Sequence, residues 1–345
     1  MAMNTRKQSR IPNVTMRDVA RHAGVSQATV SYVLNKAAGQ NIPSETQERI
    51  LESVRMLGYR PHGAARLMAT QRSKLIGFVT DEIATTPFAG AIIKGAHQAA
   101  RRHGFNLMLF NTDGDPDIES EAVESLLVQR VTGIVYATMF HRPVTPPANL
   151  NEVPAVLLDC YCADGSLTSV VPDETGGGRA AVEVLLAKGH RRIGYISNVD
   201  SIPATHGRLQ GYRDALEAHG IAYNPDLVVS GDSNARGGYD STLALMQRPN
   251  RPTALFCFND RMAMGAYDAL RKLGLGIPDD VALIGFDNQD SLAEALHPGL
   301  STMQLPHYEM GQWAINYLVA HSDEDAQVPV HELLPCPYVE RESAG

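Results

Sequence analysis

The sequence predicts an N-terminal all-α helix-turn-helix head followed by an α/β body of two doubly wound parallel-sheet subdomains. Three observations predict it. Short amphipathic helical patterns, punctuated by glycines, fill the first 58 or so residues. From Leu75 onward, continuous apolar runs of strand length alternate with helical stretches. The same rhythm restarts after Pro172.

The bulk numbers agree. A chain of 345 residues is too long for one ordinary core and fits two or three domains. With 44% hydrophobic and 20% charged residues it is of the soluble globular class. No apolar run approaches the roughly 18 residues that span a bilayer. The start, MAMNTRKQSRIPNVTMRD, has basic residues but no apolar stretch, so no secretory signal is expected. Cys160, Cys162, Cys257 and Cys336 show no CxxC pairing, which argues against metal binding and a disulfide framework and fits a reducing cytosol. Cys160 and Cys162 read as packing residues at a strand end. The net charge of -8 is uneven: residues 1–72 carry eleven Lys and Arg against four Asp and Glu, or +7, leaving -15 for the rest. A basic head on an acidic body implies an anionic partner for the head alone.

Met16, Val19, Ala20 and Ala23 recur at helical spacing and predict a first helix, which Gly24 ends. Ser26 can cap a second helix from Gln27 to about Leu34. Val30, Val33 and Leu34 form one face of it, and Gln27, Ala28, Ser31 and Tyr32 the other. Two short helices around a tight glycine turn are the helix-turn-helix signature, whose second helix enters the major groove. There Gln27 can pair with adenine, Ser31 with either base edge and Ala28 with a thymine methyl. Thr29 suits a phosphate. A third helix follows, with Ser44 as cap, Gln47 completing a capping box and Ile50, Leu51, Val54 and Leu57 as its inner stripe. After Pro61, residues 62–69 can form a short helix that is marginal without a partner.

In the body, LIGFVTD, NLMLFNT, GIVYATM and AVLLDCY are the first set of strands, with helices over 90–103 and 118–129. RRIGYIS, DLVVSG, ALFCFND and VALIGFD are the second, with helices near 176–188, 205–219, 235–247 and 261–273. The glycines of GGGRAA at 176–181 read as a flexible helix start. Met310, Ala314, Tyr317 and Leu318 mark a core helix around Trp313. Ligands of open parallel sheets sit outside the carboxyl ends of the strands. That rule selects Asp81, Asp159, Tyr161, Asn259, Asp260 and Asp287, a set suited to hydroxyl groups, and Arg208 can add a planar donor fork. Asp173 and Asp200 read as turn or cap residues.

VTMRDVARHAGVSQATVSYVLN resembles the DNA-binding head of the lactose/galactose repressor (LacI/GalR) family, and LGYRPHGAARLMA resembles that family's hinge helix. The resemblance continues through GRLQGYRDAL, FNDRMAMGAYDAL and VALIGFDN, which are similar to the family's effector domain and to periplasmic sugar-binding proteins. It implies a head over 14–61, a hinge over 62–72 and an effector and dimerisation body over 75–343. The body's N-subdomain would be 75–169 plus 306–326, and its C-subdomain 170–303 plus 328–343. It implies DNA contacts from Thr15, Ser26, Gln27, Ala28, Thr29, Ser31, Tyr32, Asn35, Tyr59, His62 and Arg66. Met68 falls where the family usually places a wedging leucine, with Leu67 beside it. For the effector it favours Asp159, Arg208, Asn259 and Asp287, with Phe88 for stacking. Ser233 and Asn234 stand where relatives often carry an aromatic, which weakens a stacked purine and favours a polyhydroxylated ligand.

No GxSxG elbow, HExxH or Walker A loop is present, so no enzyme, cofactor or metal is expected. Nothing like a heptad follows YVERES, so a tetramerising helix is not expected. The expectation is a cytoplasmic, nucleoid-associated, homodimeric repressor of palindromic operator DNA, controlled by a sugar-like effector. The alternatives are a ligand-binding protein of periplasmic type that does not bind DNA, or a regulator with a purine or nucleoside effector.

Overall fold

The computed structural model describes residues 14–35, 42–59, 73–86, 90–289, 291–322 and 328–345. The chain divides into two units, residues 1–73 and 74–345.

The first unit holds α1 (Met16–Ala23), α2 (Gln27–Asn35) and α3 (Ser44–Leu57). Thr15 starts α1: its backbone N–H and its hydroxyl both donate to the Asp18 carboxylate, at 3.0 and 2.6 Å. Gly24 then adopts φ 64°, where a side chain would be strained, and its N–H closes the end of α1. Ser26 caps α2 as the sequence predicts, its Oγ accepting from the Thr29 amide at 3.1 Å. The cap of α3 differs. Pro43 takes the capping position and its carbonyl accepts from Thr46 and Gln47, so Ser44 lies inside the helix. The Gln47 side chain donates instead to the Ile42 carbonyl. Val19, Ala20, Ala23, Val30, Ile50 and Tyr59 form the buried core of this unit. Arg49 Nε donates to the Ala23 carbonyl at 3.0 Å, pinning α3 to the open end of α1.

The second unit contains two six-stranded sheets. The first runs β2-β1-β3-β4-β5-β11, from β1 (Leu75–Thr80), β2 (Asn106–Asn111), β3 (Ile134–Pro143), β4 (Ala155–Tyr161), β5 (Ser169–Pro172) and β11 (His331–Leu334), all parallel. The second runs β7-β6-β8-β9-β10-β12, from β6 (Ile193–Asn198), β7 (Val228–Gly231), β8 (Ala254–Cys257), β9 (Ala282–Asp287), β10 (Ser301–Gln304) and β12 (Tyr338–Val339), with only β12 antiparallel.

Alternation along the strands explains the layers. In the first sheet Ile76, Phe78, Val135 and Leu158 point to one face, where α4 (Gly90–Arg102) and α10 (His307–Ala320) supply Ile92, Ala96, Met310 and Ala314. Val79, Ile134, Tyr136 and Leu157 point to the other, covered by Val123 and Leu126 of α5 (Pro116–Val128). The second sheet lies in one continuous core with α6 (Glu174–Ala187), α7 (Pro203–Ala218), α8 (Ala235–Met246) and α9 (Asp260–Lys272).

Two sequence readings are corrected here. β5 and β11 pair with each other in the first sheet, through Ser169↔His331 to Pro172↔Leu334. The first passage between sheets therefore falls after Pro172, not after residue 169, and residues 331–334 belong with the first sheet. The glycines at 176–178 lie inside α6 and serve close packing: a Cβ on Gly178 would stand 2.6 Å from the Arg208 backbone in α7. Among the described residues, no helix is long and apolar enough to cross a membrane.

Candidate functional site

In the head, α2 is held by Val30, which is fully buried, with Val25, Val33 and Leu34 packed around it. Gln27 and Ala28 are exposed at its first turn, and Tyr32 is exposed one turn on. Ser31 is half-buried. The hydroxyls of Ser26 and Thr29 bond each other at 2.8 Å. Thr15 is exposed but its hydroxyl is given to Asp18. Tyr59 is corrected: its ring is buried in the head core, where the turn after Gly58 folds it back, so it does not stand on the surface with the others. The side chain of Asn35, together with His62, Arg66, Leu67 and Met68, lies outside the described residues.

In the body, a cleft of about 530 Å³ lies between the carboxyl ends of the two sets of strands. Its wall includes Met139, Phe140, His141 and Asp159 from β3 and β4, Asn198 from β6, Phe258 and Asn259 after β8, and Asp287 from β9. Of the sequence-selected residues it brings together Asp159, Arg208, Asn259 and Asp287.

Arg208 organises the floor. Its Nε donates to Glu174 Oε2 at 2.7 Å and its Nη1 to the Phe258 carbonyl at 2.5 Å, and Nη1 lies 3.7 Å from Asp287 Oδ1. The guanidinium sits over the Phe286 and Phe258 rings, 3.6 and 4.5 Å from their centroids. Burial works against its charge, but the Glu174 and Asp287 carboxylates outweigh it and raise its pKa. Asn259 caps α9, its Oδ1 accepting from the Met262 amide, while its Nδ2 donates to the Ser233 carbonyl.

Asp159, two residues before the end of β4, and Asp287, the last residue of β9, have positive φ, 58° and 110°. Such backbone costs a non-glycine residue roughly 1–3 kcal/mol and collects at functional sites. Burial, then the Glu174 and Asp81 carboxylates, push the Asp159 carboxyl well above its usual range. Its Oδ1 is buried and has no hydrogen-bond partner among the described residues. Burial likewise raises Asp260 and Asp287.

Three selected residues are placed elsewhere. Asp81 is turned inward onto the Arg142 guanidinium and the Met139 and Glu82 amides. Asp260 accepts from Thr302 Oγ1 at 2.6 Å and from the Gln289 amide at 2.8 Å, and is fully buried. Tyr161 lies edge-on between the His141 and His331 rings, outside the cleft wall. The strand-end rule finds the position but not the direction of the side chain. Phe88 lies outside the described residues.

The sequence reading missed Glu174, Asn198, Asp200, Phe140 and His141, all of which line the cleft. Asp173 is the cap it was read to be, its Oδ1 accepting from the Gly176 amide. His141 is held neutral, its pKa pushed down to about 4 by burial first and by His331 and Arg208 after it. Five carboxyl residues (Glu82, Asp159, Glu174, Asp200, Asp287) face two arginines (Arg208, Arg261) around the cavity. That balance opposes an anionic ligand. Among the described residues, no group of three His, Cys, Asp or Glu is placed to hold a metal ion.

Comparison with known proteins follows the same division. Residues 15–62 match the family model described as bacterial regulatory proteins, lacI family. Residues 73–342 match periplasmic binding proteins and sugar binding domain of LacI family. The ribose operon repressor of Escherichia coli (strain K12) is 34% identical over 308 residues, covering 88% of this chain and 92% of that protein. The HTH-type transcriptional repressor PurR of Photobacterium profundum is 31% identical over 325 residues, 93% of this chain and 96% of that protein. The crystal structure of the Lac repressor dimer bound to operator and the anti-inducer ONPF matches with a TM-score of 0.77 at 28% identity, covering 96% of this chain and 99% of that one.

Proposed function

The chain belongs to the LacI family of bacterial regulatory proteins, and from that premise we propose that a neutral sugar in the cleft controls its binding to operator DNA. It is a sequence-specific DNA-binding repressor, not an enzyme. One observation carries the reading: a head that exposes Gln27 and Ala28 at the start of α2 and a cleft lined by strand-end carboxyls occur in one polypeptide. A ligand-binding protein alone has no use for the first.

In the head, Gln27, Ala28, Ser31 and Tyr32 read base edges, and Ser26 and Thr29 lie against the phosphates. Two copies read the two halves of a palindrome; the similar Lac repressor is a dimer bound to operator. The regulator works in the cytoplasm, at the nucleoid. In the cleft, Asp159, Asp287, Asn259 and Arg208 bond the effector's hydroxyls. The effector shifts the protein between states only by binding one of them better than the other. The excess of carboxyls favours an uncharged sugar over a sugar phosphate, and Ser233 in the wall leaves an aromatic shelf absent at that point. A nucleoside is the second reading, favoured by the exposed ring of Phe140.

The test is a gel shift of full-length protein on a palindromic site from its own promoter region, repeated with D-ribose, D-galactose, adenosine and D-ribose 5-phosphate. Binding should weaken steeply with salt, and a neutral sugar should change it. A protein that retards no DNA at low salt would sink the reading of the head. A response to adenosine or to the phosphate, with none to the sugars, would sink the reading of the cleft.

A further inference from the structure

The register of β3 on β4 breaks in the cleft wall. Ile134 to Ala137 pair with Ala155 to Leu158, but the next pairs are Arg142↔Cys160 and Pro143↔Tyr161. Thr138, Met139, Phe140 and His141 therefore stand opposite the single residue Asp159. Extra residues on one strand bend it and re-aim its side chains. Here the bulge delivers Met139, Phe140 and His141 to the cleft wall.

Buried bonds hold this bulge. Asp81, 6% exposed, accepts through Oδ2 from the Met139 amide at 3.2 Å and from Arg142 Nη2 at 2.9 Å. Its Oδ1 accepts from the Glu82 amide at 2.6 Å. Thr138 Oγ1 donates to the Asp159 carbonyl at 2.9 Å, tying the bulge to the strained residue opposite. The Arg142 guanidinium also sits 5.1 Å from the Phe140 ring centroid. Of what the bulge carries, the Phe140 ring is still open to a ligand. Phe140 is 42% exposed even with Arg142 beside its ring, whereas Phe258 and Phe286, near the floor, are 5% and 0% exposed beneath Arg208. Both ring nitrogens of His141 are buried and have no hydrogen-bond partner among the described residues.

We infer that the bulge at 138–141, pinned by Asp81 and Arg142, is the element that selects the effector. It selects an uncharged, ring-shaped hydroxylated molecule, with Phe140 as the stacking face and His141 as a hydrogen-bond partner. Asp81 and Arg142 are positioning residues: they touch the bulge, not the ligand. A neutral imidazole offers one donor and one acceptor, which matches a hydroxyl pair on a sugar ring. An apolar face beside such polar groups is the usual way a protein grips a pyranose or furanose, because one side of the ring presents C–H groups. The inference rests on the reading of the cleft as the effector site.

The test is calorimetric titration of the full-length protein with D-ribose, D-galactose and the epimers D-arabinose and D-glucose, with adenosine as a further arm. Phe140→Ala and Arg142→Met should each weaken the bound sugar at least tenfold and shrink its preference over the epimer at least threefold. Arg142→Lys should recover part of both, since it restores a charge beside Asp81. Thermal unfolding checks the fold of each variant, and Phe140, being exposed, can be removed even if Arg142→Met fails to fold. Variants that keep the wild-type affinity and the wild-type epimer ratio overturn the bulge as selector while leaving the cleft as the effector site. A wild-type protein that binds none of the sugars overturns both. Adenosine bound with loss in Phe140→Ala but no change in His141→Ala overturns the sugar assignment.

Discussion

Removing the Arg208 charge strands a buried carboxylate, and the size of the effect follows from its surroundings. The Arg208 and Glu174 side chains are 4% and 6% exposed and meet at 2.7 Å. A pair so placed contributes little net stability against an apolar replacement, but breaking it from one side costs about 3–5 kcal/mol, because the remaining charge has lost its partner. One kcal/mol is about 2–4 °C in melting temperature for a folding unit of this size. Arg208→Met should therefore lower the melting temperature by roughly 6–20 °C. Glu174→Gln in the same chain removes the stranded charge and should recover most of that loss. Differential scanning fluorimetry on the two single variants and the double variant reads both numbers. The reasoning is refuted if Arg208→Met shifts the transition by less than about 2–4 °C, or if the double variant is no more stable than Arg208→Met alone.

Three further outcomes follow from the structure. Asp159→Asn should gain stability relative to wild type as pH rises. The folded carboxyl has a raised pKa, so its contribution is fully present below the unfolded value of about 3.9 and is lost as pH rises through the folded value. The variant's advantage in urea unfolding should grow by up to about 1.4 kcal/mol per pH unit above pH 4; a difference constant from pH 4.5 to 8 contradicts the burial argument. Gly178→Ala should cost about 1–3 kcal/mol by overpacking and weaken sugar binding as well, because the new methyl meets the backbone of Arg208 itself; unchanged binding by calorimetry would count against that coupling. Gln27→Ala should change which base is preferred at one position of each half-site, by about 1–3 kcal/mol of discrimination, in a competition assay on randomised operators. Equal weakening on every sequence would show that Gln27 does not read bases.

The long strands and the helices that follow them were legible because each is a continuous apolar run or an amphipathic period. β5, β10 and β11 were not. Each is four residues long, and Ser301–Gln304 and His331–Leu334 mix polar with apolar residues. Such strands are made by the sheet they join, and β11 finds its partner about 160 residues away, through His331 and Ser169. The site was half legible for a related reason. Asp159, Arg208, Asn259 and Asp287 reach the cleft, while Asp81 and Asp260 follow the same sequence rule and face inward to Arg142 and Thr302. His141 could not be foreseen, because alternation along GIVYATMFHR gives no sign of a slip in register. In the head, T-x-x-D at Thr15 and Asp18 was a readable cap that the sequence reading passed over, and Pro43 displaced the cap assigned to Ser44.

The chain passes between the two sheets of the body three times: between β5 and α6, between β10 and α10, and between β11 and β12. Pro172 and Glu174 flank the first passage and Leu305 and His307 the second, and all four line the cleft. A molecule seated in the cleft would touch these crossings as well as the walls built by the two sheets. Were the two sheets to turn about these crossings, atoms at Glu174 and His307 would move least and the outer strands β2 and β7 most. A molecule seated at the crossings would need to alter the spacing there by only a fraction of an ångström for the rims to travel several times further. Such gearing would set a strict tolerance on fit, since a ligand slightly too large near the crossings would prop the walls apart. A turn of that kind would convert chemical discrimination at the crossings into travel at the edges.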